Sequence, residues 1–221
     1  MTSESDGWSK FLLRVCHDLR GSLRSIRAPA ELLLRDPENL EERVGFIVEG
    51  AKRIDLMLDG LAGYAIALGI ENGSFQPTPL NVALRTALAR LDEEIRGNEA
   101  TVAHDELPRV SGDPDRLIQV FENLIRNALQ YRGEASPRIG ITAEKRGDGW
   151  LFSVRDNGPG IEADCLETIF KPFERLHGKR HPGPGLGLAI CREIVERHGG
   201  RMWAESKAGS GATFFFSLPS A

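Results

Sequence analysis

A chain of 221 residues is longer than one small domain and too short for three, so one or two hydrophobic cores are expected. Its 41% apolar and 27% charged residues belong to a globular protein and exclude extensive disorder, while a net charge of -4 excludes the global pull toward nucleic acid that a basic domain exerts. Cys16, Cys165 and Cys191 are odd in number and lack C-x-x-C spacing, so neither a disulfide framework nor a zinc knuckle is expected, and a reducing, cytoplasmic setting fits best.

No apolar run approaches the roughly 20 residues that span a bilayer. The N-terminus MTSESDGWSK also lacks a basic, then apolar, signal layout, so no membrane segment is expected in this chain.

From Trp8 to about Arg35, and again from Leu40 to about Leu68, apolar residues recur at three- and four-residue steps, which predicts two long helices. Asp36 is the candidate N-cap and Pro37 the first helical residue of the second, which makes the pair a helical hairpin. Val44, Ile47, Val48, Ile54, Met57, Leu58 and Leu61 need a surface to face, and a symmetric homodimer would supply it as a four-helix bundle. The turn-forming stretch LGIENGSFQPTP marks a boundary, so residues 1–68 form the hairpin, 69–79 a linker and 80–221 a second domain.

Within that second domain NVALRTALARLDEEIRG reads as a helix, ATVAHDEL as a short strand, and DPDRLIQVFENLIRNALQYR as a helix capped by Asp113 with Pro114 following. PRIGITAEKR and GWLFSVRDN alternate as a hairpin around G-D-G. GLGLAICREIVERHGG is a helix closed by Gly199 and Gly200, with His198 near its negative end, and RMWAES and ATFFFSL finish as strands. The fold class is therefore α+β, a helical hairpin followed by an α/β sandwich.

DNGPGI and GPGLGL carry glycines at 158, 160, 183, 185 and 187, which permit close approach of backbone amides to a ligand. Gly185, Leu186, Gly187 and Leu188 open a helix, and its bare amides suit a di- or triphosphate. Asp156, leaving a strand, is placed to accept a hydrogen bond from an exocyclic amine, as selection of adenine requires. Asn123 and Asn127 lie four apart on one helix face, and two neutral oxygens suit magnesium that also leans on ligand phosphates.

The ordered segments HDLRGSL, ENLIRNALQY, DNGPGI, FKPFERL and GPGLGLAI resemble the H, N, G1, F and G2 boxes of bacterial two-component sensor histidine kinases, in a phytochrome-like variant. The resemblance implies a dimerisation and phosphoacceptor domain followed by a Bergerat (GHKL) ATP-binding domain, with ATP and magnesium as cofactors, a homodimer, and a response-regulator receiver domain as partner. It makes His17 the phosphorylated nucleophile and Asp18 its neighbouring acid. Asn127 would ligate magnesium with help from Asn123, and Asp156 would bind the adenine amine in a turn shaped by Gly158 and Gly160 and supported by Thr213. Tyr131 would stack near the base. A lid from about Glu174 to Pro184 would close over the phosphates, anchored by Phe170 and Phe173, with Lys179 and Arg180 as charge partners.

Some positions depart from the family pattern. Ser22 stands where a proline is usual, which leaves Pro29 to move the helix bend. Gly21 lacks the side chain that would hold a water for dephosphorylating the receiver, so weak phosphatase activity is implied. Gln130 and Pro184 replace residues that usually help to contact phosphate. These departures sustain an alternative, a kinase-like signalling adaptor or phosphotransfer protein that binds a receiver without ATP turnover. His177 and His181 read as lid surface, His104 as an exposed strand residue, Cys16 as core packing, and Phe214, Phe215 and Phe216 as strand residues with alternate members buried.

Overall fold

The computed structural model describes residues 2–35, 39–70, 75–175 and 183–221. Helices α1 (Thr2–Arg35) and α2 (Leu40–Leu68) form the antiparallel pair that the apolar spacing predicts. Pro29 stands inside α1 without ending it. The start of α2 differs from the expectation: Asn39 is the N-cap, in a left-handed conformation (φ 59) that asparagine tolerates, while Asp36 and Pro37 lie outside the described residues. Gly50 lets the two helices approach closely, since a Cβ there would stand 2.6 Å from Ile26 Cγ1. Val15 and Met57 are buried in the hairpin, whereas Leu12, Leu23, Val44, Val48 and Leu58 are exposed in the single chain. Cys16, expected in the core, is exposed as well, because it sits on the outer side of α1 next to buried Val15.

Beyond the hairpin follow β1 (Gln76–Pro79), α3 (Leu80–Arg90), α4 (Asp92–Gly97), β2 (Thr101–His104), β3 (Arg109–Gly112) and α5 (Pro114–Gln130). The chain ends with β4 (Arg138–Arg146), β5 (Gly149–Arg155), α6 (Gly187–Arg197), β6 (Met202–Ser206) and β7 (Ala212–Pro219). Five strands form one sheet in the order β2-β4-β5-β7-β6, with β2 and β4 parallel and the other neighbours antiparallel. Its inner face presents Ile139, Ile141, Phe152, Val154, Phe214 and Phe216 to the helices, and Phe121 of α5 meets Phe216 edge-on at 6.0 Å. On the opposite face Phe215 stacks against Trp203 at 5.3 Å, so the FFF run alternates as expected.

Two local features were not visible in the pattern. The helix expected over 81–97 breaks at Leu91, which ends α3 and caps α4. Residues 76–79, expected as linker, form β1, which pairs antiparallel with β3 from Gln76↔Gly112 to Pro79↔Arg109. The α5 start matches its signal: Asp113 Oδ1 accepts from the amides of Asp115 (2.9 Å) and Arg116 (3.2 Å), with Pro114 in the first turn.

The hairpin packs against the second unit through α2 and α6. Small residues make the approach possible: a Cβ at Gly60 would stand 2.8 Å from Pro184 Cγ and 2.9 Å from Leu186 Cδ1, and one at Gly63 would stand 3.4 Å from Ile190 Cδ1. Phe11 adds ring contacts to Tyr64 (5.7 Å) and Phe173 (5.3 Å). Among the described residues, no helix is long and apolar enough to cross a membrane.

Candidate active site

The C-terminal unit contains an open, largely apolar cleft with a few polar groups at its walls, the usual character of a small-molecule site. Asn127 and Tyr131 enter it from the end of α5, Asp156, Pro159, Gly160 and Ile161 from the loop after β5, Leu188 from the first turn of α6, and Ala212 and Phe214 from β7. Ile169, Glu174 and Arg175 form the remaining wall.

Asp156 is held by its neighbours. Its Oδ1 accepts from the backbone N–H groups of Gly158 (2.8 Å) and Ala212 (3.1 Å). Burial pushes its carboxyl above the usual carboxylate range, and those two hydrogen bonds oppose the shift. With one oxygen committed to the turn, the other remains for an outside donor. Gly160 at φ 77 belongs to this turn, and a side chain there would run into the Lys207 carbonyl.

Across the cleft, Gly187 is the first residue of α6 and Leu186 its buried N-cap, with no side chain among the described residues capping the helix. Backbone amides in the first turn of a helix lack intrahelical partners and suit an anion. Asn123 of α5 lies beside it, its Nδ2 donating to Gly187 O at 3.4 Å. Gly185 (φ 74) accepts from Phe173 N at 2.9 Å, and a Cβ on it would stand 2.9 Å from Glu174 O. Phe170 and Phe173 are both buried, the latter at φ 63, a strained conformation for a phenylalanine.

Of the expected residues, Asn127, Tyr131, Asp156, Gly160 and Leu188 line the cleft, while Gly158 binds Asp156, Asn123 binds the Gly187 carbonyl, and Gly185, Leu186 and Gly187 lead into α6 without lining it. Lys179, Arg180, His177 and His181 lie outside the described residues. Thr213 is not brought to the cleft. Successive residues of a strand face opposite ways, and Ala212 and Phe214 line the cleft, so Thr213 points to the other side of the sheet, level with Arg155 and Glu205. Ala212, Phe214, Ile161, Ile169 and Pro159 were missed. Their parts are apolar wall or backbone N–H, which residue type alone does not advertise.

The donor set fits a hydrated divalent ion held partly by ligand phosphates. Among the described residues no cluster of three His, Cys, Asp or Glu could hold a metal alone, and Asn127 offers a neutral oxygen in the cleft.

His17 sits on the exposed side of α1, with 76% of its side chain accessible. Its Nδ1 is 2.9 Å from Asp18 Oδ1. An ionised carboxylate only accepts, so Nδ1 is the donor in this contact, and it is Nε2 that bears the lone pair when the ring is neutral. One turn earlier, Arg14 Nη2 donates to Phe173 O at 3.2 Å, and its Nη1 lies 4.0 Å from Glu174 Oε1. The histidine helix therefore touches the wall of the cleft.

His104 is exposed, as expected, and its Nδ1 lies 2.9 Å from Asp105 O. Cys191 is fully buried and its thiol is pushed up to about 12 by that burial, which leaves it unreactive.

Residues 112–221 match the family model described as "Histidine kinase-, DNA gyrase B-, and HSP90-like ATPase". Cyanobacterial phytochrome A of Nostoc sp. is 40% identical over 216 residues, which cover 95% of this chain and 28% of that protein. Sensor histidine kinase ZraS of Escherichia coli is 33% identical, covering 93% of this chain and 44% of its own length. The chain thus spans less than half of these curated relatives. Among solved structures, the catalytic domain of histidine kinase ThkA is 34% identical with a TM-score of 0.58, covering 66% of this chain and 96% of that one. ThkA in complex with the response regulator protein TrrA superposes with a TM-score of 0.77 at 27% identity, covering all of this chain and 64% of that one. A cleft built from the N-, G1- and G2-type segments, matched at this identity over almost the whole of a solved catalytic domain, shows that the chain belongs to the histidine kinase family.

Proposed function

We propose that the chain is the catalytic core of a sensor histidine kinase, which transfers the γ-phosphoryl group of ATP to His17 and then to an aspartate of a response-regulator receiver domain. The observation that carries the reading is Asp156, half-buried at the edge of the cleft with one carboxylate oxygen fixed by two amides and the other available to an adenine amine. Tyr131, Ile161 and Phe214 give the base an apolar surround, and the bare first turn of α6 receives the phosphates. Asn127, assisted by Asn123, would hold magnesium, which neutralises charge on the phosphates when bound.

Asp18 keeps the Nδ1 proton, so the lone pair of Nε2 attacks the γ-phosphorus while the bond to the β-phosphate oxygen breaks and ADP leaves. Positioning and electrostatics supply most of the acceleration in such transfers. The regulator complex formed by ThkA supports the same class of partner here. The reading includes a homodimer, in which the exposed Leu12, Leu23, Val44, Val48 and Leu58 would be covered in a four-helix bundle.

The test is incubation with γ-labelled ATP and magnesium of the native chain, His17→Ala and Asn127→Ala. Acid-labile, base-stable label on the native chain and none on either variant is expected. Label that survives in His17→Ala, or magnesium-dependent ATP binding with no label at all, would overturn the assignment.

A further inference from the structure

His198 has no part in the chemistry above, yet it is among the most buried polar side chains, at 2% exposure. It caps the end of α6, and its Nδ1 lies 2.7 Å from Ile194 O while Asp113 N lies 3.0 Å from its Nε2. A carbonyl can only accept and an amide N–H can only donate. The ring is therefore neutral, with its proton on Nδ1 and its Nε2 lone pair receiving the Asp113 amide.

Both bonds reach a nucleotide helix. The first lies at the far end of α6 from Gly187, and the second fastens Asp113, the N-cap of α5, which carries Asn123 and Asn127. A third contact comes from the chain that arrives from the hairpin. Phe75 stacks on the imidazole with centroids 4.3 Å apart and planes 12° apart. Immediately after it, β1 pairs with β3 at Gln76↔Gly112, and Thr78 Oγ1 donates to Gly112 O at 2.8 Å. Gly112 is itself shaped by the ring, because a Cβ there would stand 2.7 Å from His198 Cδ2.

We infer that His198 is a positioning residue that pins the linker arriving from the hairpin to the two helices that frame the nucleotide cleft, so that displacing Phe75 from the ring changes nucleotide affinity. This rests on the nucleotide reading above for its second half only. The reciprocal holds by linkage: a nucleotide that orders α5 and α6 also tightens the seat of the linker. Burial holds the imidazole below its ordinary titration range, opposed by the Ile194 carbonyl and by the Asp113 carboxylate that faces it from α5. A proton on Nε2 would set two donors against each other.

The experiment uses the full chain with Phe75→Leu, which keeps an apolar side chain without the stack, and Phe75→Tyr, which keeps a ring. Nitrogen NMR of the native chain is expected to show His198 neutral with the proton on Nδ1. In Phe75→Leu, hydrogen exchange at the Asp113 amide accelerates and affinity for a non-hydrolysable ATP analogue with magnesium falls about fivefold, the low end of inter-site coupling, whereas Phe75→Tyr retains native values. A proton found on Nε2, or a Phe75→Leu chain that melts lower with unchanged exchange and affinity, overturns the inference. A native chain that binds no nucleotide would sink the kinase reading and the coupling with it, leaving the pin itself to be judged by Asp113 exchange.

Discussion

At the scale of single residues, the cleft is defined as much by backbone as by side chains. Asp156→Asn keeps the shape and the two accepted amide bonds but turns an NH2 toward an incoming adenine amine. Affinity for ATP is expected to fall at least about tenfold, since hydrogen bonds to charged groups contribute about 1.5–3 kcal/mol. The melting temperature should stay level or rise, because a partly desolvated charge is removed. The native carboxyl, raised in the fold, favours the folded state below the ordinary carboxylate range, and this contribution is lost as pH rises through its folded value. ATP affinity runs the opposite way, since only the carboxylate can accept from the amine; calorimetric titrations across acid pH check both signs. The places of Asn127, Asp156 and Gly160 in the cleft lining were legible in the sequence because residue type and spacing point to them. Thr213 was misplaced for the converse reason. The donor next to it is the Ala212 amide, and whether a strand residue faces the cleft or the outer surface depends on register, which sequence spacing does not set at the end of a strand.

At the scale of elements, the long helices and the β4–β5 hairpin were readable from local periodicity, whereas the β1–β3 ladder was not. Each of its strands is four residues long, β1 ends in proline, and the partners are brought together by contacts distant in sequence. The break at Leu91 is equally a tertiary matter, since this residue is fully buried between α3 and α4. Two helix features give measurable outcomes. Asp113→Ala removes the α5 cap and should cost about 1 kcal/mol in denaturant unfolding, the usual loss for an N-cap carboxylate. Gly60→Val places atoms where Pro184 and Leu186 now sit. It should separate the hairpin from the second unit while leaving both folded, read as an increased radius of gyration in solution scattering with unchanged helical circular dichroism.

At the scale of the whole molecule, an apolar stripe along the hairpin demands a partner surface, and a second copy is the proposed one. Leu58→Glu or Val48→Glu is expected to convert the chain to a monomer in light scattering at concentrations where the native chain is dimeric; an unchanged dimer would place the interface elsewhere. The Arg14 contacts to Phe173 and Glu174 show that the histidine helix and the cleft wall are physically continuous in this arrangement. The parallel pairing of β2 with β4 has a further effect. Strand β2 joins β4 with Thr101 level with Arg138, and the chain between them must first travel out through β3 and back along α5. The sheet cannot acquire that edge before the crossover is laid down, so the helix bearing Asn123 and Asn127 is an obligatory antecedent of the β2–β4 pairing, a step that its non-local topology makes slow. A break introduced between 104 and 138 would consequently abolish renaturation of the C-terminal unit rather than merely loosen it.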